Sequence, residues 1–86
     1  MRNALPSGMT LSDSLRAHVH QLGGPPAVAD DVDLFATGTL ASMQLLELIT
    51  AIEDDFRVQI DERDIQTGRL RSIASIAALI SERRPS

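Results

Sequence analysis

Ser42 is the residue of this sequence whose position most directly suggests chemistry. It opens the apolar stretch "SMQLLELITAIEDDF", residues 42–56, and the small residues of "TGTLA", 37–41, come just before it. A serine hydroxyl at the start of a helix can accept a hydrogen bond from an amide of the first turn and so cap the helix. The same place favours an attached phosphate, because free amides and the helix dipole point at it. Two functions are therefore open, a helix cap and the anchor of a phosphodiester.

No other set of residues has a spacing that predicts catalysis or a metal site. His18 and His20 have no cysteine or further histidine at metal-ligand spacing, and His18 on an apolar helix face is more typical of a structural residue. The acids of residues 30–33 could at most bind a divalent ion loosely, since the EF-hand pattern is absent. The carboxylates of "EDD", 53–55, imply no cleft. Residues 23–24 are glycines without the lysine of a phosphate loop. We therefore expect no catalytic residues and no bound metal.

Composition predicts a single small helical domain. With 86 residues, 43% of them hydrophobic but only two phenylalanines, the core must consist of Leu, Ile, Val and Ala, which suits packed helices. The chain has no cysteine, so it has neither disulfides nor thiolate metal sites, and a cytoplasmic setting fits. No apolar run approaches the roughly 20 residues that cross a bilayer, and the N-terminus lacks the charged and apolar regions that are typical of a signal peptide. We expect no membrane partner.

The acidic residues are concentrated in the middle of the chain. Residues 30–64 hold ten of the twelve acids and two arginines, which gives this segment a charge of −8 and the remainder +4. An acidic segment repels phosphate backbones and attracts basic protein surfaces, so nucleic acid is not an expected partner. The alternative is an acidic face that is merely solvated.

The pattern of apolar residues predicts where the first helix lies and how it ends. Thr10 can cap its start, and residues 23–26, Gly-Gly-Pro-Pro, can end it. A connection of nearly twenty residues then leads to Ser42, and we expect a short turn in it that is pinned by Leu34 and Phe35. The positions that recur at helical spacing in the first helix are Leu11, Leu15, His18, Val19 and Leu22.

Three more helices are predicted after Ser42. The second runs from about Ser42 to Phe56, a short one lies near "DERDI", 61–65, and the last is "SIASIAALISER", 72–83, with Ser72 as its cap and Arg83 and Arg84 near its negative end. "RVQI", 57–60, could be a strand, but it has no partner strand. We expect an all-α bundle of three main helices and one short helix. The expected core positions are Leu45, Leu48, Ile49, Ile52, Phe56, Ile73, Ile76, Ala77 and Ile80.

The domain is expected to span residues 9–83, between a flexible segment, 1–8, and a short tail, 84–86. The start at Met1 and the end soon after the last helix favour a free-standing protein.

A helical wheel at 100° per residue separates two faces of the second helix. If the apolar stripe faces the core, Met43 lies on the outer face, and an exposed Met beside Ser42 gives up its burial unless a partner covers it. The outer face outlines a docking surface, although an ordinary Met at a helix end is the simpler alternative. Its members are Met43, Glu47, Thr50 and Asp54, with Leu46 and Glu53 on the shoulder.

The order of short motifs resembles that of an acyl carrier protein. "DLF" is followed by a glycine, by Leu-x-Ser-Met at residues 40–43, and by an apolar helix with a central Glu that ends in "IEDDF". The acidic "IDERD" and a last helix that opens with "RSI" complete the resemblance, which covers residues 9–82. It implies that Ser42 carries 4′-phosphopantetheine covalently and that the thiol of this arm holds an acyl group as a thioester. It also implies a protein that is not itself an enzyme.

The resemblance further implies which partners bind and where. A phosphopantetheinyl transferase modifies the serine, an acyltransferase or ligase loads the acyl group, and a downstream synthase receives it, each through basic docking patches. The protein is expected to be a monomer. The residues that match the family's contact positions are Met43, Leu46, Glu47, Thr50, Glu53 and Asp54.

Ala41 stands where most carriers have Asp immediately before the serine. In the family this carboxylate helps the transferase and other partners recognise the site. The sequence thus allows a carrier with specialised partners, or a carrier-like interaction module that has lost modification. We expect the first, because the serine is retained. "GTLASM" and "LRSIASIAALI" look most like small carriers of unusual short acyl units, such as D-alanyl, glycerate-derived or methoxymalonyl-type units, in polyketide, antibiotic or fatty acid biosynthesis.

Overall fold

The structure of the protein is a computed structural model, in which residues 10–83 are described. Four helices follow one another along the chain: α1 (Leu11–Gln21), α2 (Gln44–Phe56), α3 (Glu62–Gln66) and α4 (Ile73–Arg83). This order confirms the all-α prediction, and "RVQI", 57–60, has no regular secondary structure. The expected flexible segment 1–8, the tail 84–86 and Arg84 lie outside the described residues. Within residues 10–83, none of the helices combines the length and apolar character needed to cross a membrane.

Each helix except α2 begins with a side-chain cap. The Thr10 hydroxyl accepts a hydrogen bond from the Asp13 amide, and the Asp13 carboxylate accepts one from the Thr10 amide, both at 3.1 Å. Asp61 and Asp64 make the same reciprocal pair at α3. At α4 the Ser72 hydroxyl accepts from the Ser75 amide at 3.1 Å, as predicted. Because these caps satisfy amides that a helix leaves unpaired, they fix where the three helices start.

The core is aliphatic, as the composition predicts. Leu15 and Val19 from α1 meet Leu48 and Ile52 from α2, and α4 closes the other side. The expected Ile73, Ile76 and Ile80 are buried, whereas Ala77 is only half-buried and Leu79 is buried in addition. The buried set is Leu15, Val19, Val28, Leu34, Leu40, Leu48, Ile52, Phe56, Val58, Leu70, Ile73, Ile76, Leu79 and Ile80.

The long connection between α1 and α2 is anchored to the N-terminal end of α4. Leu34 is fully buried, and its amide donates to the Arg71 carbonyl at 2.7 Å, while the Ala74 amide donates to the Asp30 carbonyl at 2.9 Å. Leu40 is 1% exposed and its amide donates to the Leu34 carbonyl. The turn predicted at Leu34 and Phe35 is present, with Phe35 half-buried. The chain therefore reaches Ser42 from a fixed point in the core.

Candidate functional site

Ser42 lies in the turn that precedes α2. The helix begins at Gln44, two residues later than predicted, and its N-cap position is Met43, which provides no side-chain cap. Among the hydrogen bonds within residues 10–83, none involves the Ser42 hydroxyl. The proposed capping function of Ser42 is therefore wrong. The reason is local: Ala41 and Ser42 accept hydrogen bonds from the amides of Gln44 and Leu45 through their backbone carbonyls, so the turn closes without the hydroxyl.

Gln44 makes the side-chain contacts that a cap would otherwise make. Its Oε1 accepts a hydrogen bond from the Ala41 amide at 2.8 Å. Its Nε2 donates to the Leu22 carbonyl at the C-terminal end of α1. The sequence interpretation missed this residue, although a glutamine three positions after the start of a turn is the spacing of half a capping box. Its second contact joins residues that are 22 positions apart, so no local sequence pattern could have predicted it.

The surroundings of Ser42 suit an attached phosphate. Ala41, Ser42 and Met43 are all exposed, and residues 40–46 include no charged side chain. Within the described chain, the amides of Ser42 and Met43 make no hydrogen bond. Unpaired amides at a helix N-terminus, together with the helix dipole, stabilise an anion there. The residues present thus fit a phosphodiester on the Ser42 oxygen.

The outer face of α2 combines apolar and acidic side chains. Met43 is 86% exposed and Leu46 70%, which is unusual for residues of this size. Glu47, Thr50 and Asp54 are exposed farther along the helix. The surface therefore has an apolar end, Met43 and Leu46, beside Ser42. Its acids are Glu47, which lies in the first turn as well, and Asp54, near the C-terminal end of α2. Leu46, predicted on the shoulder, therefore belongs to the outer face, and this name refers below to these five residues.

The buried stripe of α2 is rotated slightly from the predicted one. Leu48, Ile52 and Phe56 point into the core, whereas Leu45 and Ile49 are only half-buried and pack against its edge. The three buried residues are spaced four apart, so they define the side of the helix that faces α1 and α4. Leu45, expected in the core, is thus a rim residue.

Glu53, predicted among the partner contacts, has a structural role in the folded chain. It is half-buried, and its carboxylate accepts a hydrogen bond from the Ile60 amide at 2.9 Å. This contact fixes the irregular segment that follows α2. Glu47 and Asp54, by contrast, form no ion pair within residues 10–83, and their carboxylates face solvent.

His18 joins α1 to the last turn of α2. Its side chain is 16% exposed, and Nε2 lies 2.5 Å from a carboxylate oxygen of Asp55. The ring also meets Phe56 edge-on, with centroids 6.4 Å apart and planes at 76°. His20 is exposed, and its Nδ1 lies 2.9 Å from the Gly24 carbonyl oxygen. These contacts account for both rings through packing and hydrogen bonding. In the described part of the chain, no group of three or more histidine and acidic residues could hold a metal ion.

A cleft lies beyond the C-terminal end of α2. Its volume is about 540 Å³, and Arg57, Val58, Gln59, Asp61 and Arg83 line it. All 13 residues of α2 lie between Ser42 and Arg57, and at 1.5 Å per residue the helix alone separates them by about 20 Å. The cleft is therefore not part of the surroundings of Ser42.

Comparison with known proteins identifies the family. A family model described as "Phosphopantetheine attachment site" matches residues 11–80, from the start of α1 to near the end of α4, which is well over half of the chain. Neither the curated proteins nor the solved structures include a significant match. Proteins of this family carry covalently attached 4′-phosphopantetheine. The helical fold and the matched range lead to one conclusion: this chain belongs to the phosphopantetheine attachment site family and is a carrier domain of the acyl carrier protein type.

Proposed function

We propose that the chain carries its 4′-phosphopantetheine arm on Ser42 and delivers an acyl group between biosynthetic enzymes. The observation that carries this proposal is the exposed Ser42 hydroxyl, which makes no hydrogen bond within the described chain and lies at the N-terminal end of α2. When bound, the arm supplies a thiol that holds the acyl group as a thioester. What the chain itself supplies is the nucleophile for attachment, an environment that tolerates the phosphate, and a surface for partners.

Attachment is a phosphoryl transfer in which Ser42 is the nucleophile. The Ser42 oxygen attacks the pantetheine-side phosphorus of coenzyme A, a new P–O bond forms, and the diphosphate P–O bond breaks. The hydroxyl proton leaves to a base on the transferase, and adenosine 3′,5′-bisphosphate departs. The amides of Ser42 and Met43, which make no hydrogen bond within the described chain, would be available to bind the phosphodiester that remains. No residue of the chain needs to act as a base.

The outer face of α2 fits the expected partners. Its acids, Glu47 and Asp54, complement basic patches on the transferase, on an acyl-loading acyltransferase or ligase, and on a downstream synthase. Its apolar end, with Met43 and Leu46, would be covered in each complex and so would regain burial. The pathway that we propose is polyketide or related secondary metabolism.

A second function rests on Ala41. The missing carboxylate favours a helical interaction module that binds a basic partner through the outer face and receives no arm. The two functions differ in one measurable property, which is covalent modification.

The decisive experiment is intact mass spectrometry after co-expression with a broad-specificity phosphopantetheinyl transferase. The carrier function requires an added mass of about 340 Da, the mass of the arm. Ser42→Ala should abolish this addition and change the free energy of unfolding by less than about 0.5 kcal/mol, because the hydroxyl is exposed and makes no cap.

The matched control is Ser81→Ala, which removes an exposed hydroxyl from α4 and should leave modification intact. Modification of the Ser42→Ala chain at another serine would contradict the assignment. An unmodified wild-type chain would support the interaction module.

A further inference from the structure

Gln44 connects the turn that holds Ser42 to the end of α1. Its Oε1 accepts the Ala41 amide and its Nε2 donates to the Leu22 carbonyl, so one side chain bridges two segments that are distant in the sequence. We propose that Gln44 is the positioning residue of the attachment site, and that it orients Ser42 for phosphopantetheine transfer without touching the transferred group. This inference rests on the function proposed for Ser42.

The turn has no other side chain to hold it. Ala41 has no polar side-chain group, and Met43, at the N-cap position of α2, makes no side-chain cap. A helix leaves its first amides and its last carbonyls without partners inside the helix. Gln44 satisfies one such carbonyl, that of Leu22 just after α1, and also the Ala41 amide in the turn that precedes α2. Its removal would leave both groups to water at once.

The carboxamide of Gln44 suits this pair of contacts because it carries both an acceptor oxygen and a donor N–H. The Ala41 amide is a donor and so must meet an oxygen, whereas the Leu22 carbonyl is an acceptor and so must meet an N–H. A glutamate would keep the first contact and lose the second, and it would place a negative charge beside a carbonyl oxygen. A methionine has nearly the same shape and would lose both. A comparison of these two variants therefore separates the effect of the hydrogen bond to Ala41 from that of the hydrogen bond to Leu22.

Gly23 follows the Leu22 carbonyl that Gln44 contacts, and its backbone conformation favours glycine. Gly23 has a φ of +105°, and a Cβ built there would lie 3.8 Å from Nε2 of Gln44. In this left-handed region glycine is unstrained, so the chain can leave α1 directly after Leu22 and keep its carbonyl open to Gln44. The Gln44 side chain thus contacts the backbone both after the end of α1 and before the start of α2.

Positioning should affect the rate of transfer more than the binding of the transferase. In-line attack on phosphorus requires the Ser42 oxygen in one orientation, and a turn that samples several orientations spends less time in the reactive one. Gln44 is half-buried and does not belong to the outer face, so its loss removes little docking surface. We expect kcat for modification to fall while KM stays nearly constant.

The test uses the full chain with Gln44→Met and Gln44→Glu, and Gln66→Met as the matched control, because Gln66 is exposed on α3. Coenzyme A and a broad-specificity transferase give kcat and KM, and amide hydrogen exchange at Ala41 reports the turn without any modification. For Gln44→Met we expect exchange at Ala41 about tenfold faster and kcat about tenfold lower, the factor that a lost hydrogen bond or two allows. KM should change by less than about twofold. Gln44→Glu should keep most of the protection at Ala41 and lose part of kcat.

The outcomes distinguish this inference from the function on which it rests. An unmodified wild-type chain would overturn the function of Ser42 and the positioning role with it. A modified wild type, together with Gln44→Met that keeps kcat and the exchange rate at Ala41, would overturn only the positioning role. A higher KM at constant kcat would overturn it too, because Gln44 would then be a docking residue. Should Gln44→Met fail to fold, Gln44→Glu decides by the same criteria.

Discussion

The two residues on either side of Ser42 carry no charge. Ala41 and Met43 flank the serine, and the first acid of α2 is Glu47. A carboxylate at position 41 would attract basic groups of a transferase, but it would also repel a phosphate attached to the neighbouring serine. Ala41 lacks both effects. Its side chain is exposed, so it is a surface position where charge can be added without disturbing the core.

Adding the missing carboxylate tests this balance. Ala41→Asp should raise the rate of modification by a generic transferase at low ionic strength, because the added charge steers a basic partner toward Ser42. The gain should shrink as salt is raised, since the Debye length falls from about 30 Å at 0.01 M to about 8 Å at 0.15 M. Initial rates across a salt series measure both effects.

The control for that substitution is Ala78→Asp, which adds the same charge at an exposed position of α4. An equal gain in the control would show that net charge, and not position 41, is responsible. A rate that is unchanged or lower with Ala41→Asp would indicate that the site is adapted to alanine.

At the scale of helices, α2 performs two tasks on opposite sides. Leu48, Ile52 and Phe56 hold it in the core, while the outer face remains unpaired within the described chain. The apolar and acidic side chains of that face should contribute differently to a complex. Charged rim residues act mainly on the association rate, and a buried apolar anchor acts mainly on the dissociation rate.

Charge reversal separates docking from folding. Glu47→Lys with Asp54→Lys should slow association with a basic partner such as the transferase and reduce its salt dependence. Each substitution should change the free energy of unfolding by no more than about 0.5 kcal/mol, because both side chains are exposed. Met43→Ala should instead raise the dissociation rate. Surface plasmon resonance over a salt series, with thermal melts, measures these effects.

Leu48→Ala is the control for α2, and it should destabilise the fold by about 2–5 kcal/mol, since Leu48 is fully buried. Leu45 is a poorer control because it lies at the rim of the core. If charge reversal unfolded the protein while Leu48→Ala did not, the outer face would be the wrong side of the helix.

The molecule as a whole is held together by contacts between segments far apart in the sequence. An ionic contact of this kind involves Asp64 of α3, which is 2% exposed: both of its carboxylate oxygens accept hydrogen bonds from Arg83 at the end of α4. The bonds from Arg83, and then the backbone amide of Asp61, hold the pKa of Asp64 below its ordinary value of 3.8, although burial raises it. Asp64 thus stabilises the fold in its charged form.

The sign of the pH dependence follows from that lowered pKa. A carboxylate with a lower pKa in the folded state contributes stability above its unfolded pKa and loses it as the pH falls through the folded pKa. Asp64→Asn should therefore lower the free energy of unfolding by about 1.5–3 kcal/mol at neutral pH, the value of hydrogen bonds to charged groups. The difference from wild type should shrink as the pH falls below 3.8. Denaturation at pH 7, 5, 4 and 3 measures it.

Glu62→Gln provides the comparison, because Glu62 is an exposed acid of the same short helix. It should show a much smaller effect at neutral pH. A difference between Asp64→Asn and wild type that stayed constant down to pH 3 would contradict an ionic role for Asp64.

What the sequence could predict is set by the range of each interaction. Helical spacing and short polar caps are local, and they predicted α1, α3 and α4 together with most of the core. At the start of α2, the Gln44 side chain contacts the Leu22 carbonyl, and no local sequence pattern predicts that contact. Glu53 was placed correctly near the outer face, but its bond to the Ile60 amide depends on how the chain turns after α2. The family resemblance, which the match to residues 11–80 confirms, was based on the order of the motifs. That order does not depend on these long-range contacts.

Leu40 has a consequence for how far cargo can travel. It is buried two residues before Ser42, so an arm attached to Ser42 as proposed would be anchored next to a fixed part of the core. Every displacement of an attached acyl group must then come from the arm itself or from rotation of the entire carrier. An enzyme that uses this carrier needs its reactive centre within one arm length of the surface on which α2 docks. Delivery to a second enzyme requires release from the first.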